Sequence, residues 1–158
     1  MLRVCSPKSL YSRYERVIDG PLNELADALC SPDRRFELTA VAELTRDGPC
    51  SLIGVAQVLA DPNRDTAEYA VLVADRWQNL GLGSALTDYC LTHAHDWGLR
   101  RMIAEFLPSN MRMIRILEAR AFDLQRDLQE HVVSGQKILA DPCSVDGGRG
   151  TSNAKDEG

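Results

Sequence analysis

The sequence has no cysteine pair at C-x-x-C spacing, no surplus of positive charge and no long apolar run. Each absence removes a class of function. Its five cysteines, Cys5, Cys30, Cys50, Cys90 and Cys143, are an odd number, so neither a disulfide framework nor a zinc cage fits. They read as reduced, mostly buried thiols. With 18 Lys and Arg against 23 Asp and Glu, the formal net charge is -5, which argues against a nucleic-acid partner because phosphate backbones need a clustered basic surface. The longest apolar run, Tyr69 to Ala74, falls well short of the roughly 18 residues of a membrane span, so no membrane partner is expected. Met1-Leu2-Arg3-Val4-Cys5-Ser6-Pro7-Lys8 lacks the sustained apolar core of a secretory signal, and the chain reads as cytoplasmic. What is present, 158 residues with 44% apolar and 26% charged, suits one globular domain with a sizeable core.

Periodicity divides that domain. Ser6-Pro7-Lys8 opens a helical pattern through Leu10, Tyr14, Val17 and Ile18, and Pro21 starts a second through Leu22, Leu25, Ala26 and Leu29. From Phe36 the period changes to two, which predicts a strand; Asp47-Gly48-Pro49 marks a turn, and Leu52 to Leu59 a second strand of a hairpin. Asp61-Pro62-Asn63-Arg64-Asp65 breaks the chain before a central strand, Glu68 to Ala74, whose composition predicts burial on both faces. Leu82, Ala85, Leu86, Tyr89, Cys90, His93, Ala94 and Trp97 form a helical stripe ending at Gly98. Arg101 to Phe106 is a further strand, Asn110 precedes a helix with Met113, Ile114, Leu117 and Ala121 inward, and Phe122 to Gln125 and Val132 to Leu139 close as paired strands. The class is α+β, or mixed α/β, with helices packed on one sheet. Residues 1–140 are expected to form the domain, and 141–158, poor in apolar residues, a disordered tail.

The stretch that carries chemistry runs from Val71 to Ser84, a buried strand, a short loop and the first turn of a helix. Helix N-termini present unpaired N–H groups and partial positive charge, and Gly81 and Gly83 let a phosphate approach without meeting a Cβ. A helix start needing glycine only for a tight turn fits the same residues. Leu86 stands where G-x-G-x-x-G requires its last glycine, and no Gly-Lys-Ser or Gly-Lys-Thr follows, so dinucleotide and P-loop chemistry are excluded. His93 and His95, two apart on a helix, are not a chelating pair, and no metal is expected.

Gln78-x-x-Gly81-x-Gly83 directly after a buried strand resembles the acyl-CoA pyrophosphate loop of the GNAT superfamily of acetyl-CoA-dependent N-acetyltransferases. Asn110, an amphipathic helix and then Ala121-Phe122 resemble its second signature. Three segments are similar to the acetyltransferase domain of bacterial protein lysine acetyltransferases: Ser6 to Tyr14, Ala67 to Val73 running into Trp77-Gln78, and Glu105-Phe106-Leu107-Pro108-Ser109-Asn110. The likeness extends from about Ser6 to Leu139 and implies a central, mostly antiparallel sheet with helices on both faces. It further implies that backbone groups of Val71, Leu72 and Val73 pair with the pantetheine arm of acetyl-CoA where the next strand splays away, with the Val73 N–H on the thioester oxygen. N–H groups of Gln78, Asn79, Leu80, Gly81, Leu82, Gly83 and Ser84 would cradle the pyrophosphate, the Gln78 side chain adding a donor. Asn110 would bond the pantetheine or nucleotide portion; an ordinary helix N-cap explains it equally.

A lysine amine, with a reference pKa of about 10.4, must lose a proton to attack a thioester. Glu68 is the candidate general base, helped by burial or a relayed water, and a solvated strand-end carboxylate is its alternative reading. Glu105 is the second candidate, its alternative an ion pair with Arg100 or Arg101. Trp77 and Trp97 read as packing residues, and Arg112, Arg115 and Arg120 as a solvated basic face in preference to ligands of an adenosine phosphate. The sequence departs from the superfamily in three places. No tyrosine acid stands in Arg115-Ile116-Leu117-Glu118, a gap that a good thiolate leaving group tolerates. Met1 to Cys5 is too short for the strand that usually comes first, which leaves an unpaired edge and homodimerisation open. Ala121 stands where glycine is expected, at a cost of about 1 kcal/mol if the backbone is left-handed there. The acceptor implied by the resemblance is a protein lysine; a small amine or antibiotic, or a non-catalytic acyl-CoA-binding regulatory module, are the alternatives.

Overall fold

The computed structural model describes residues 1–18, 20–45 and 50–139. The Asp47-Gly48-Pro49 turn, Cys143 and the 141–158 tail lie outside the described residues. Ser6 caps the first helix, its Oγ accepting from the Ser9 N–H at 3.2 Å, and Pro7 follows where its missing N–H leaves no bond unmade. This helix, α1 (Pro7–Tyr14), stops when Glu15 turns left-handed at φ 53. Val17 and Ile18, which the periodicity had joined to it, therefore lie beyond its end. α2 (Leu22–Cys30) follows.

β1 (Glu37–Leu44) and β2 (Ser51–Ala60) pair antiparallel, with a bulge between Ala42 and Glu43. β3 (Thr66–Val73) continues the antiparallel run with Val73 opposite Gly54. A 3-10 turn, Asp75–Trp77, leads to α3 (Leu82–Asp96). β4 (Arg101–Phe106), α4 (Met111–Glu118), β5 (Asp123–Asp127) and β6 (Val132–Ile138) complete the chain. The single six-stranded sheet has the order β1-β2-β3-β4-β6-β5, and β3 with β4 is its one parallel pair among the described residues. The expected α+β class and mostly antiparallel sheet are present.

Strand alternation assigns the two faces. Ala67, Tyr69 and Val73 of β3, with Met102, Ala104 and Phe106 of β4, enter a core shared with Leu86, Cys90 and Ala94 of α3 and Met113, Ile114 and Leu117 of α4. Leu72 and Ala74 point the other way, into a smaller cluster with Leu2, Cys5, Leu10 and Val55 that α1 and α2 cover. Both faces of β3 are buried from Leu72 onward, while Glu68 is exposed and Ala70 and Val71 half-buried, so the burial on both faces that composition predicts holds only at the end of the strand. Leu2–Val4 form a 3-10 turn rather than a strand, so β1 has β2 as its one sheet neighbour among the described residues. Cys5 and Cys90 are buried, and burial pushes the Cys90 thiol up to about 12, but Cys30 and Cys50 are exposed. This corrects the expectation of mostly buried thiols. Among the described residues no helix is long and apolar enough to cross a membrane.

Candidate active site

β3 and β4 pair only over Thr66, Ala67 and Glu68, opposite Arg101, Met102 and Ile103. Past Glu68, β3 stays with β2 as far as Val73, and β4 stays with β6 as far as Phe106. Each strand keeps one partner and loses the other, so the sheet opens as a V with Glu68 at its apex.

Register decides which peptide groups face the gap. The Ala74 N–H bonds the Ile53 carbonyl at 2.9 Å and the Asp61 N–H the Thr66 carbonyl at 2.8 Å. Bonded and non-bonded positions alternate along an antiparallel pair, so Glu68, Ala70 and Leu72 spend their peptide groups on β2. Val71 and Val73 turn theirs toward the gap. Leu72 instead pairs with Val55, and its side chain is buried under α1.

The loop after β3 is braced from within. Gln78 Nε2 donates to the Val73 carbonyl at 2.8 Å and to Ser9 Oγ at 3.0 Å, and the Gln78 N–H bonds the Asp75 carbonyl at 3.2 Å. Its donors are committed inside the chain, where they tie the loop to β3 and α1. Asp75 Oδ1 accepts from the Ser6 N–H at 3.2 Å; hydrogen bonds from Ser6 and Ser9 hold this carboxyl below the usual carboxylate range. Asn79 (φ 60) and Gly81 (φ 85) then reverse the chain in the left-handed region, which glycine enters freely. The first α3 bond runs from the Ala85 N–H to the Gly81 carbonyl, so the N–H groups of Gly81, Leu82, Gly83 and Ser84 precede the ladder. A Cβ at Gly83 would stand 3.2 Å from Ile116 Cδ1, so glycine lets α3 begin close against α4.

A cleft of about 410 Å³ follows the gap and this helix start. Val71, Leu72, Val73, Gln78, Asn79, Gly81, Gly83, Ser84 and Asn110 of the expected site residues line it; Leu80, exposed at the loop tip, and Leu82, packed on the core, do not. Its charged lining is Lys8, Arg13, Arg112 and Arg115 against Asp75. Arg112 Nε donates to Asn79 Oδ1 at 2.9 Å. Arg112 and Arg115 are exposed, as a solvated face requires, and border the cleft as well. Arg120 turns elsewhere, pairing with Asp88 at 2.6 Å. The Ser9, Ser12 and Arg13 face of α1, also in the lining, went unread; its i, i+3, i+4 spacing opposite Leu10 was the available signal.

A second pocket, about 240 Å³, adjoins the first and shares Ser12, Arg13, Val71, Asn110 and Met113 with it. Here Glu68 and Glu105 come together with Tyr14 and Glu15. Alternation puts both glutamates on the α1 side of the sheet, exposed, and neither has an ion-pair partner among the described residues. Arg100 pairs with Asp65 at 3.8 Å, so the ion-pair reading of Glu105 finds no such contact. Arg13 stands between the two pockets, its Nη2 donating to Gln57 Oε1 at 3.0 Å. Burial lowers its pKa, and the charges of Tyr14 and Glu68 oppose that shift. Asn110 Oδ1 accepts from the Met113 N–H at 3.2 Å, so Asn110 is the α4 N-cap while lining both cavities. Among the described residues no group of three His, Cys, Asp or Glu side chains is placed to hold a metal.

An open strand edge, free helix N–H groups and a basic rim can hold an extended amide chain ending in a diphosphate. The adjoining carboxylates can attract a cationic amine and accept its proton. Comparison with known proteins agrees with this arrangement. The profile of the Acetyltransferase (GNAT) family matches residues 9–122. An acetyltransferase from Pseudomonas aeruginosa, PA5475, is 29% identical over 122 residues, covering 77% of this chain and 66% of that protein. The GNAT domain of S. lividans PAT superposes with a TM-score of 0.73 at 26% identity, covering 85% of this chain and 79% of that one. A cAMP-binding acyltransferase from Mycobacterium smegmatis shares the fold at 24% identity and TM-score 0.60, over 87% of this chain and 42% of its own.

Proposed function

The chain belongs to the Acetyltransferase (GNAT) family of acetyl-CoA-dependent N-acetyltransferases, and on that premise we propose that it moves the acetyl group of acetyl-CoA to the side-chain amine of a protein lysine. The observation that carries this reading is the V between β3 and β4. It leaves the peptide groups of Val71 and the N–H of Val73 unpaired beside a helix N-terminus, the Val73 carbonyl being held by Gln78, which suits the pantetheine arm and pyrophosphate of one molecule. Lys8, Arg112 and Arg115 add charge complementary to the phosphates. With the phosphates at the loop end, the thioester lies toward the apex, where the second pocket meets the cleft at Arg13, Val71 and Asn110.

In that pocket Glu15, Glu68 and Glu105 outnumber Arg13, a balance that favours an ammonium. The ammonium first gives one proton to Glu68, which frees the nitrogen lone pair to bond the acetyl carbonyl carbon. The second N–H proton, lost as the intermediate collapses, passes to solvent through Glu68. Its exposure suits transfer through a water in place of burial. The Val71 N–H, where the two pockets meet, supports the charge that develops on the carbonyl oxygen, while the Val73 N–H, about 7 Å nearer the loop, is left to the pantetheine arm. The carbon–sulfur bond then breaks and coenzyme A leaves as a thiolate, which with a thiol pKa of about 8.5 needs no tyrosine acid. The likeness of the segments Ser6 to Tyr14, Ala67 to Gln78 and Glu105 to Asn110 to protein lysine acetyltransferases supports lysine as the acceptor. Free thiols at Cys5, Cys30, Cys50 and Cys90 suit a reducing compartment such as the cytosol.

Steady-state assays with acetyl-CoA and lysine-bearing protein, read by mass spectrometry, test the proposal. Glu68→Gln is expected to lower kcat at pH 7 by about 100-fold while acetyl-CoA affinity stays within about twofold. Undiminished kcat would remove Glu68 from the base role, and acetylation confined to small amines would replace the lysine acceptor.

A further inference from the structure

Tyr69 is 1% exposed and Thr87 is fully buried. Tyr69 projects from β3 into α3, where its Oη lies 2.8 Å from Thr87 Oγ1; Thr87 Oγ1 lies 2.7 Å from the Gly83 carbonyl oxygen. A carbonyl only accepts, so Thr87 donates to Gly83 and Tyr69 must donate to Thr87. Burial pushes the Tyr69 phenol well above its ordinary pKa, and it keeps the proton it donates. The chain of donors therefore has one direction, from the core toward the start of α3.

The Gly83 carbonyl shares a rigid, planar, trans peptide unit with the Ser84 N–H. Whatever holds the oxygen aims that N–H the opposite way, and Ser84 lines the cleft. The next peptide is held too: Arg120 Nη2 donates to the Ser84 carbonyl at 3.0 Å, while the same guanidinium grips Asp88 and the Ile116 carbonyl. Two successive peptide units of the first α3 turn are thus fixed by side chains that themselves never enter the cleft lining.

We propose that Tyr69 and Thr87 are positioning residues for acetyl-CoA: a buried donor relay, Tyr69 to Thr87 to the Gly83 carbonyl, that aims and polarises the Ser84 N–H toward the cofactor's pyrophosphate. The inference rests on the reading that this cleft holds acetyl-CoA. Hydrogen bonds aligned head to tail polarise one another, and an anion accepting at the end strengthens each link behind it. A buried hydroxyl pair adds little net stability over apolar isosteres, whereas a relay ending on a phosphate gains only when the ligand carries one.

The test compares coenzyme A with pantetheine, which lacks the pyrophosphate, by calorimetric and NMR titration of the whole protein. Tyr69→Phe is expected to weaken coenzyme A about fivefold to tenfold, and Thr87→Val by more, with pantetheine affinity unchanged. Thr87→Ser, which keeps the hydroxyl, restores the wild-type ratio of the two affinities. Equal losses for both ligands would mean a general packing defect and overturn the relay, as would no loss for either. Absence of saturable coenzyme A binding to the folded wild type would instead overturn the functional reading, so the two failures are told apart.

Discussion

Replacing Ala121 by glycine is expected to stabilise the protein, by an amount that the matching closures of α3 and α4 allow to be worked out. After α3, the Leu99 N–H bonds the Ala94 carbonyl at 3.0 Å and the Gly98 N–H bonds the His95 carbonyl at 2.9 Å, with Gly98 at φ 81. After α4, the Phe122 N–H bonds the Leu117 carbonyl at 3.1 Å and the Ala121 N–H bonds the Glu118 carbonyl at 3.0 Å, with Ala121 at φ 56. Both are Schellman closures, and glycine is the residue that enters their left-handed position freely. A Cβ there costs about 1–2 kcal/mol. Ala121 is exposed, so removing its methyl sacrifices no packing, but the added freedom of the unfolded chain returns about 0.4–1 kcal/mol. The balance is a gain of about 0.5–1 kcal/mol, or about 1–4 °C in Tm for a chain of this length. Differential scanning calorimetry should show that rise for Ala121→Gly, a fall of similar size for Gly98→Ala, and a larger fall for Ala121→Val. An unchanged or lowered Tm for Ala121→Gly beside a normal fall for Gly98→Ala would refute the left-handed assignment. The closure matters for function because Phe122 and Leu117 lock the end of a helix whose start carries Asn110, Arg112 and Arg115. A cost of about 1 kcal/mol against a typical 5–15 is one the fold can carry.

Two further perturbations separate the peptide groups from the side chains around them. Val71→Pro removes an N–H that β2 does not use, so acetyl transfer should fall about 100-fold with the sheet intact by circular dichroism; Leu72→Pro, which breaks the bonds to Val55, should unfold the protein. Equal behaviour of the two variants would contradict the register argument. Asp75, whose folded pKa is depressed, contributes above the unfolded carboxylate value of about 3.9 and loses that contribution as pH falls through its folded value. The protection factor of the Ser6 amide should therefore drop as pH falls below about 4, and a flat profile would dissociate Asp75 from the anchoring of α1.

Local pattern carried much of this fold. The bounds of β4, Arg101–Phe106, and the start and glycine stop of α3 follow from periodicity and cap chemistry, which act within one or two turns of chain. The end of α1 was not legible, because glutamate carries no left-handed signal at Glu15. The V could be expected only from resemblance: where β4 leaves β3 depends on pairing between residues about 35 apart in sequence. Arg112 and Arg115 illustrate a second limit, since helical spacing says that they share a polar side but not that the side faces a cleft. Tyr69 and Thr87 illustrate a third; each looks like ordinary core until α3 is laid on β3 and the two hydroxyls meet.

Amide hydrogen exchange, resolved by NMR with and without saturating acetyl-CoA, addresses the gripping of the cofactor by main-chain groups at single-residue resolution. Exchange should slow on binding at Val71, Val73 and at Gly81 through Ser84, while Leu72, already paired with Val55, stays as it was. Saturable binding that protects none of these amides, or protects Leu72 in their place, would contradict the account.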